Sequence, residues 1–270
     1  ILLFGTTGEA PSFTVKERQT ALEFLINSGV KPNQILVGTG CCAFKDTLAL
    51  SAHATELDCA GVLVIPPYFF KNISIEGVYQ GYAQLIEQVG IKLKLYLYNF
   101  PEMSSISIKH DIIAKLVKHY PQQLRGVKDS SGDFSNMTEM VEKFPQLGIF
   151  SGDDHFLLPL LQLGGAGSMT ATVNILPHLM REVYDNWASN KAINNETLKM
   201  ITYIWEDTFL HYPVTEGLKA YLANETGDAS WARLRLPLQR LNEKDKNALI
   251  NKIEGYAFNI LPSQRTLFNR

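Results

Sequence analysis

The sequence predicts an α/β protein, a (β/α)8 barrel with a C-terminal helical extension, whose first βα unit lies ahead of Ile1. Three observations carry this expectation. Short apolar, β-branched runs alternate with longer amphipathic segments, the pattern of repeated βα units and a parallel sheet. Successive runs start roughly 20 to 35 residues apart, room for a strand, a loop and a crossover helix. Seven such runs can be read in a chain of 270 residues, one fewer than a closed barrel of this kind requires, in a length that such barrels fill as one domain.

Taken in order, the strand-like runs are Ile1–Phe4, Ile35–Gly38, Gly61–Ile65, Leu93–Tyr98, Leu124–Val127, Gly148–Phe150 and Gly167–Ala171. The segments between them repeat apolar residues at helical spacing, as in Ala21, Leu22, Leu25 and Ile26, or Ile112, Ile113, Leu116 and Val117; these stripes should cover the sheet. After the seventh run the chain reads as helical, near His178–Ala188, Leu198–His211, Thr215–Ala223 and Glu243–Tyr256. The expected division is residues 1–177 for the barrel, carrying its strands two to eight, and residues 178–270 for the last barrel helix and the helical extension.

Composition narrows the function. With 46% hydrophobic and 19% charged residues the chain is an ordinary globular one. Its 25 basic and 27 acidic residues are scattered and give a formal charge of −2, so no basic face offers itself to a phosphate backbone and nucleic acid is not an expected partner. The longest apolar stretch, Gly61 to Phe70, holds two prolines and falls well short of the roughly 20 residues that span a bilayer. Cys41, Cys42 and Cys59 form neither an even disulfide set nor a metal-ligand spacing, which fits a reducing cytoplasm.

Four segments hold residues that can do chemistry. Gly5-Thr6-Thr7-Gly8-Glu9 follows a strand and leads into a helix. Its glycines free the backbone so that peptide N–H groups and threonine hydroxyls can face an anion such as a carboxylate; it reads equally as a plain turn whose threonines cap neighbouring backbone. Lys94 to Pro101 is a strand on which Tyr96 and Tyr98 share a face, Tyr98 at the C-terminal mouth. Its hydroxyl both donates and accepts and suits a proton relay, or else the ring is an aromatic plug.

The third segment, Gly126 to Asp133, ends an apolar strand with Lys128 and opens into a polar loop. Inside a barrel mouth desolvation favours the neutral amine that imine formation requires, whereas at a surface the same lysine would pair with Asp129 or Asp133. The fourth is Ser151-Gly152-Asp153-Asp154 with Gly164 to Thr170. Two aspartates are too few oxygen ligands for a hard cation and better suit hydrogen bonds to substrate hydroxyls, while the glycines Gly164 to Gly167 allow a phosphate loop as a further reading.

In this order G-T-T-G-E, Y-N-F-P, G-V-K-D-S-S-G-D, S-G-D-D and G-G-A-G resemble the dihydrodipicolinate synthase and N-acetylneuraminate lyase superfamily, from the first residue to about Pro177. Each motif is weak, but the ordered set at strand ends is specific. The resemblance implies a TIM barrel on which Lys128 forms an imine with pyruvate or another 2-keto acid and Tyr98 shuttles protons. It further implies that Thr6 and Thr7 hold the carboxylate, that Gly152 and Met169 line the pyruvyl pocket, and that Ser130 and Asp154 complete the substrate contacts. No metal or organic cofactor is expected, and the assembly implied is a homotetramer, a dimer of dimers.

The departures point to the second substrate. Dihydrodipicolinate synthases follow Y-N-x-P with a pair ending in an arginine that anchors the aldehyde's carboxylate; here Pro101 is followed by Glu102 and Met103. They also carry a second tyrosine where this chain has Phe69. Without the guanidinium fork and the relay hydroxyl, the chain looks more like a 2-keto-3-deoxy sugar acid aldolase. N-acetylneuraminate lyases match less well, since His155 stands where they place an acidic residue. A non-catalytic barrel that binds sugar acids is the remaining alternative.

Overall fold

The computed structural model describes residues 1–257, in two compact units, Ile1–Met169 and the residues from Thr170 on. The first unit holds a seven-stranded parallel sheet whose strands lie side by side in chain order. They are β1 (Leu2–Leu3), β2 (Leu36–Gly38), β3 (Gly61–Val64), β4 (Leu95–Asn99), β5 (Leu124–Asp129), β6 (Gly148–Ser151) and β7 (Gly167–Ser168). Helices α1 (Val15–Asn27), α2 (Phe44–Glu56), α3 (Ile75–Val89), α4 (Pro101–Ser104), α5 (His110–His119), α6 (Phe134–Lys143) and α7 (Leu157–Gln162) connect them. All seven expected strands are present.

The period-2 alternation sorts the sheet into two faces. Val62, Val64, Leu95, Leu97, Val127 and Ile149 face the helices and join one core with Leu22, Ala54, Ile86, Ile112, Leu116, Met137 and Met140. Each fully buried aliphatic side chain of this layer contributes roughly 1.5–3 kcal/mol. The register then decides which residues meet on the opposite, inner face: Tyr96 stands beside Gly126, Tyr98 beside Lys128, and Lys128 beside Phe150. Gly126 is required there, because a Cβ would lie 2.9 Å from the ring of Tyr96 and 2.3 Å from the carbonyl of Gly148.

Helix starts are specified locally. Thr14 and Glu17 close a capping box on α1, the Glu17 N–H donating to Thr14 Oγ1 at 3.3 Å and the Thr14 N–H to Glu17 Oε2 at 2.9 Å. Ser74 caps α3, and Asp133 caps α6 by accepting from the N–H groups of Ser135 and Asn136. The strand ends shift from expectation by up to three residues, and two of the shifts bear on the site. β5 runs on through Lys128 and Asp129, and β7 is confined to Gly167 and Ser168, with one further hydrogen bond from Met169 N–H to the Ser151 carbonyl at 2.8 Å.

The second unit is helical: α8 (Pro177–Ala188), α9 (Asn195–Thr202), α10 (Val214–Thr226) and α11 (Glu243–Ala257). The expected single helix Leu198–His211 is interrupted by a π-helical stretch, Tyr203–Thr208, and a 3₁₀ turn, Phe209–His211. Thr208, fully buried, bonds back from its hydroxyl to the Tyr203 carbonyl, a local competition of the kind that distorts helices. The expected helices end at or before Ala257; residues 258–270 lie outside the described residues. Among the described residues no helix is long and apolar enough to cross a membrane.

Candidate active site

The C-terminal ends of β4 and β5 bring Tyr98 and Lys128 together. Lys128 is 7% exposed, and its ammonium lies 4.2 Å from the centroid of the Tyr98 ring, a cation–π contact strengthened by its desolvation. The reading of Lys128 as a surface lysine does not hold. Asp133 caps α6, and Asp129, next along the strand, points to the opposite face of the sheet.

Tyr98 is itself buried, its ring 5.6 Å from that of Phe100. Its hydroxyl meets Thr6 Oγ1 at 3.2 Å, either oxygen able to donate. Thr6 sits in a turn closed by Gly8 N–H to the Gly5 carbonyl and Glu9 N–H to the Thr6 carbonyl. Those two N–H groups are used within the turn. The anion-facing capacity of this loop therefore rests on its two threonines, Thr6 exposed and Thr7 half-buried.

After β5, Ser130 N–H donates to the Asn99 carbonyl at 2.8 Å, and Gly152 N–H to the Asp129 carbonyl at 2.6 Å. The first ties the loop after β5 to the end of β4, and the second ties the loop after β6 to the end of β5. A Cβ on Gly152 would lie 1.8 Å from Ser130 Oγ, so the serine hydroxyl occupies the volume of the missing side chain. Met169 adjoins the same strand ends through its bond to Ser151.

Asp153 and Asp154 follow Gly152 on a turn pinned by Ser151, whose Oγ accepts from Asp153 N–H and donates to the Asp153 carbonyl, both at 2.9 Å. Asp154 is 2% exposed. Asp153 is half-buried, and burial pushes its carboxyl above the ordinary carboxylate range; His155 and Lys128 oppose the shift, while Asp129 and Glu102 add to it. Asp153 thus shares one electrostatic environment with the lysine and with Glu102. Among the described residues no three His, Cys, Asp or Glu side chains are grouped as a metal site.

Phe69 is 72% exposed and packs edge-on against the equally open Phe70 at 5.4 Å. Tyr68 turns the other way: burial, with the Cys42 thiol beside it, pushes its hydroxyl up to about 12. That group belongs to a polar cluster absent from the sequence reading. Arg18, 3% exposed, donates to Cys41 Sγ at 3.1 Å and to the Gly38 carbonyl at 2.5 Å and covers the Phe4 ring. Lys16, Glu17, Arg18 and Gln19 read as one polar run, and nothing local marks the arginine as inward.

A model of the dihydrodipicolinate synthetase family matches residues 1–255. An uncharacterized DapA-like lyase of Chloroflexus aurantiacus is 32% identical over 249 residues, which are 92% of this chain and 82% of that protein. A 4-hydroxy-tetrahydrodipicolinate synthase of Syntrophus aciditrophicus is 30% identical over 258 residues, 93% of this chain and 84% of its own. Among solved structures, a dihydrodipicolinate synthase from Agrobacterium tumefaciens superposes with a TM-score of 0.84 at 26% identity, covering 94% of this chain and 86% of that one.

Proposed function

The chain belongs to the dihydrodipicolinate synthetase family and is an enzyme; from that membership we propose a class I lyase that joins Lys128 to pyruvate or another 2-keto acid and makes or cleaves a carbon–carbon bond beside the imine, on a 2-keto-3-deoxy sugar acid. The observation that carries the reading is a buried amine 4.2 Å from the ring of Tyr98, whose hydroxyl stands 3.2 Å from Thr6.

The neutral amine of Lys128 adds to C2 of the keto acid, and the carbinolamine loses its hydroxyl as water with a proton supplied by Tyr98. In the cleavage direction the C4 hydroxyl gives its proton to the Tyr98 oxygen and the C3–C4 bond breaks. Its electron pair becomes the enamine double bond, neutralising the imine nitrogen. Protonation at C3 restores the imine, and water releases pyruvate and the free lysine. The imine is the electron sink, so the scheme requires neither a metal nor an organic cofactor.

In this reading Thr6 and Thr7 hold the carboxylate, Gly152, Ser130 and Met169 surround the pyruvyl group, and Asp154 with Asp153 accepts from sugar hydroxyls. Glu102 and Met103 in place of an anchoring arginine, and Phe69 in place of a hydroxyl, favour an aldehyde that is hydroxylated and carries no carboxylate. A closed eight-stranded barrel is the proposed architecture, and a homotetramer in the cytoplasm is the proposed assembly. A second reading, condensation of pyruvate with aspartate semialdehyde, is favoured by the name of the Syntrophus relative.

Borohydride added with pyruvate should fix a stable mass on Lys128, absent in Lys128→Ala. A wild-type chain without the adduct refutes the lyase. Given the adduct, turnover by the unreduced enzyme of glyceraldehyde over aspartate semialdehyde supports the sugar acid, and the opposite preference supports the synthase.

A further inference from the structure

We infer that Asp129 is a positioning residue, whose carboxylate clamps the tips of β4 and β5 and so holds Lys128 against Tyr98. The inference rests on Lys128 being the imine-forming amine. Lys128 faces inward, and the next residue therefore points out into the helix layer, beside Val127 and Ile149. Asp129 is fully buried there. An apolar side chain would sit in that layer at less cost than a carboxylate, so the carboxylate has to be explained by what it holds.

It holds three segments. Asp129 Oδ1 accepts from the Ser131 N–H at 2.7 Å, and Oδ2 accepts from Asn99 Nδ2 at 3.3 Å and Asn136 Nδ2 at 2.5 Å. Asn99 is the last residue of β4, next to Tyr98; Asn136 lies in the first turn of α6; Ser131 follows Ser130. Both amides are fixed in turn, Asn99 Oδ1 accepting from the Ile108 N–H and Asn136 Oδ1 meeting His110 Nε2, each at 2.9 Å. The Asp129 carbonyl also receives Gly152 N–H. Amide groups are poor proton carriers, so this network sets positions and leaves proton transfer to Tyr98.

A second feature shows why a clamp is needed. The β4–β5 ladder is irregular between Leu95 and Tyr96: Leu95 pairs with Leu124, but Tyr96 pairs with Gly126, so Arg125 is an extra residue on β5. The ladder upstream therefore does not by itself set the alignment of Tyr98 with Lys128. The clamp closes at the other end, one residue beyond that pair.

The rate at which borohydride traps pyruvate on Lys128 in the full chain tests this. Absence of a wild-type adduct would remove the lyase reading itself, before any variant is compared. Given the adduct, Asp129→Asn should slow trapping roughly 10- to 100-fold, the cost of a misplaced reacting group, with the half-saturating pyruvate concentration changed less than about twofold. Asp129→Asn combined with Asn136→Asp returns the carboxylate to the other end of the 129–136 bond, without the one from Asn99, and should recover part of the rate. Trapping at the wild-type rate in Asp129→Asn, or a double variant as slow as the single one, overturns the inference. If Asp129→Asn does not fold, the half-buried Asn136→Ala decides: slower trapping at an unchanged melting temperature supports the clamp, and a wild-type rate refutes it.

Discussion

Tyr98→Phe separates the hydroxyl of Tyr98 from its ring. The ring lies under the Lys128 ammonium at 4.2 Å and beside Phe100 at 5.6 Å, and phenylalanine keeps both contacts. What is lost is one hydrogen bond, to Thr6 at 3.2 Å. A net hydrogen bond is worth roughly 0.5–1.5 kcal/mol, and because Thr6 is exposed its hydroxyl turns to water, which places the loss in the lower half of that range. In a chain of this size that shifts the melting temperature by about 2–4 °C at most. A proton shuttle, by contrast, is worth roughly 10²- to 10⁴-fold in kcat, or about 3–5 kcal/mol of activation free energy. Aldol cleavage followed by pyruvate release, alongside thermal unfolding of the same preparation, should show a large fall in kcat on a nearly unchanged fold. A variant within about threefold of the wild-type kcat would make Tyr98 a packing residue and sink the relay.

Lys128→Met removes a buried charge while keeping shape, so borohydride trapping should vanish while the melting temperature holds or rises; a fall of more than about 4 °C, on the order of 1 kcal/mol, would show that the ammonium is structurally required. Gly152→Ala should cost roughly 1–3 kcal/mol of stability by overpacking, since its Cβ falls 1.8 Å from Ser130 Oγ, and denaturant midpoints should show most of that cost gone in a Ser130→Gly background. For Asp153, burial raises the folded-state pKa above the unfolded value of 3.8. Its favourable contribution is therefore complete only below that value and is lost as pH rises through the folded pKa. Asp153→Asn should melt above wild type at pH 7, with the gap closing toward pH 4; an asparagine variant that is the less stable at pH 7 contradicts the sign.

The strands were legible because β-branched and apolar residues cluster where a buried parallel sheet needs them, and Lys128 and Tyr98 stood out as polar groups on such strands. The extent of β5 was not legible. Asp129 reads as the first residue of a loop; only its backbone pairing with Asn99 and Ser151 makes it a strand residue, and its carboxylate finds donors 30 residues back at Asn99 and 7 ahead at Asn136. Arg18 failed in the same way: within a polar run at the start of α1 it reads as solvated, and its partners at Gly38 and Cys41 lie 20 and 23 residues on. The π-helical stretch at Tyr203 had no signal beyond Thr208, a residue that helices elsewhere accommodate. Side chains that contradict their own segment are visible from sequence; what reconciles them with the fold is a contact at long range.

Lys128 and Asp129 make the consequence concrete. They are adjacent, both buried, oppositely charged, and on opposite faces of one strand. A slip of β5 by one residue would turn the carboxylate into the site and the ammonium into the layer of Val127 and Ile149, since side chains alternate with a period of two. Few apolar strands would be so penalised by the same slip, because either face would accept an aliphatic side chain. The charge pair at the tip therefore opposes misregister where the extra residue at Arg125 makes misregister easiest, and the register that satisfies Asp129 is the one that presents Lys128 to Tyr98.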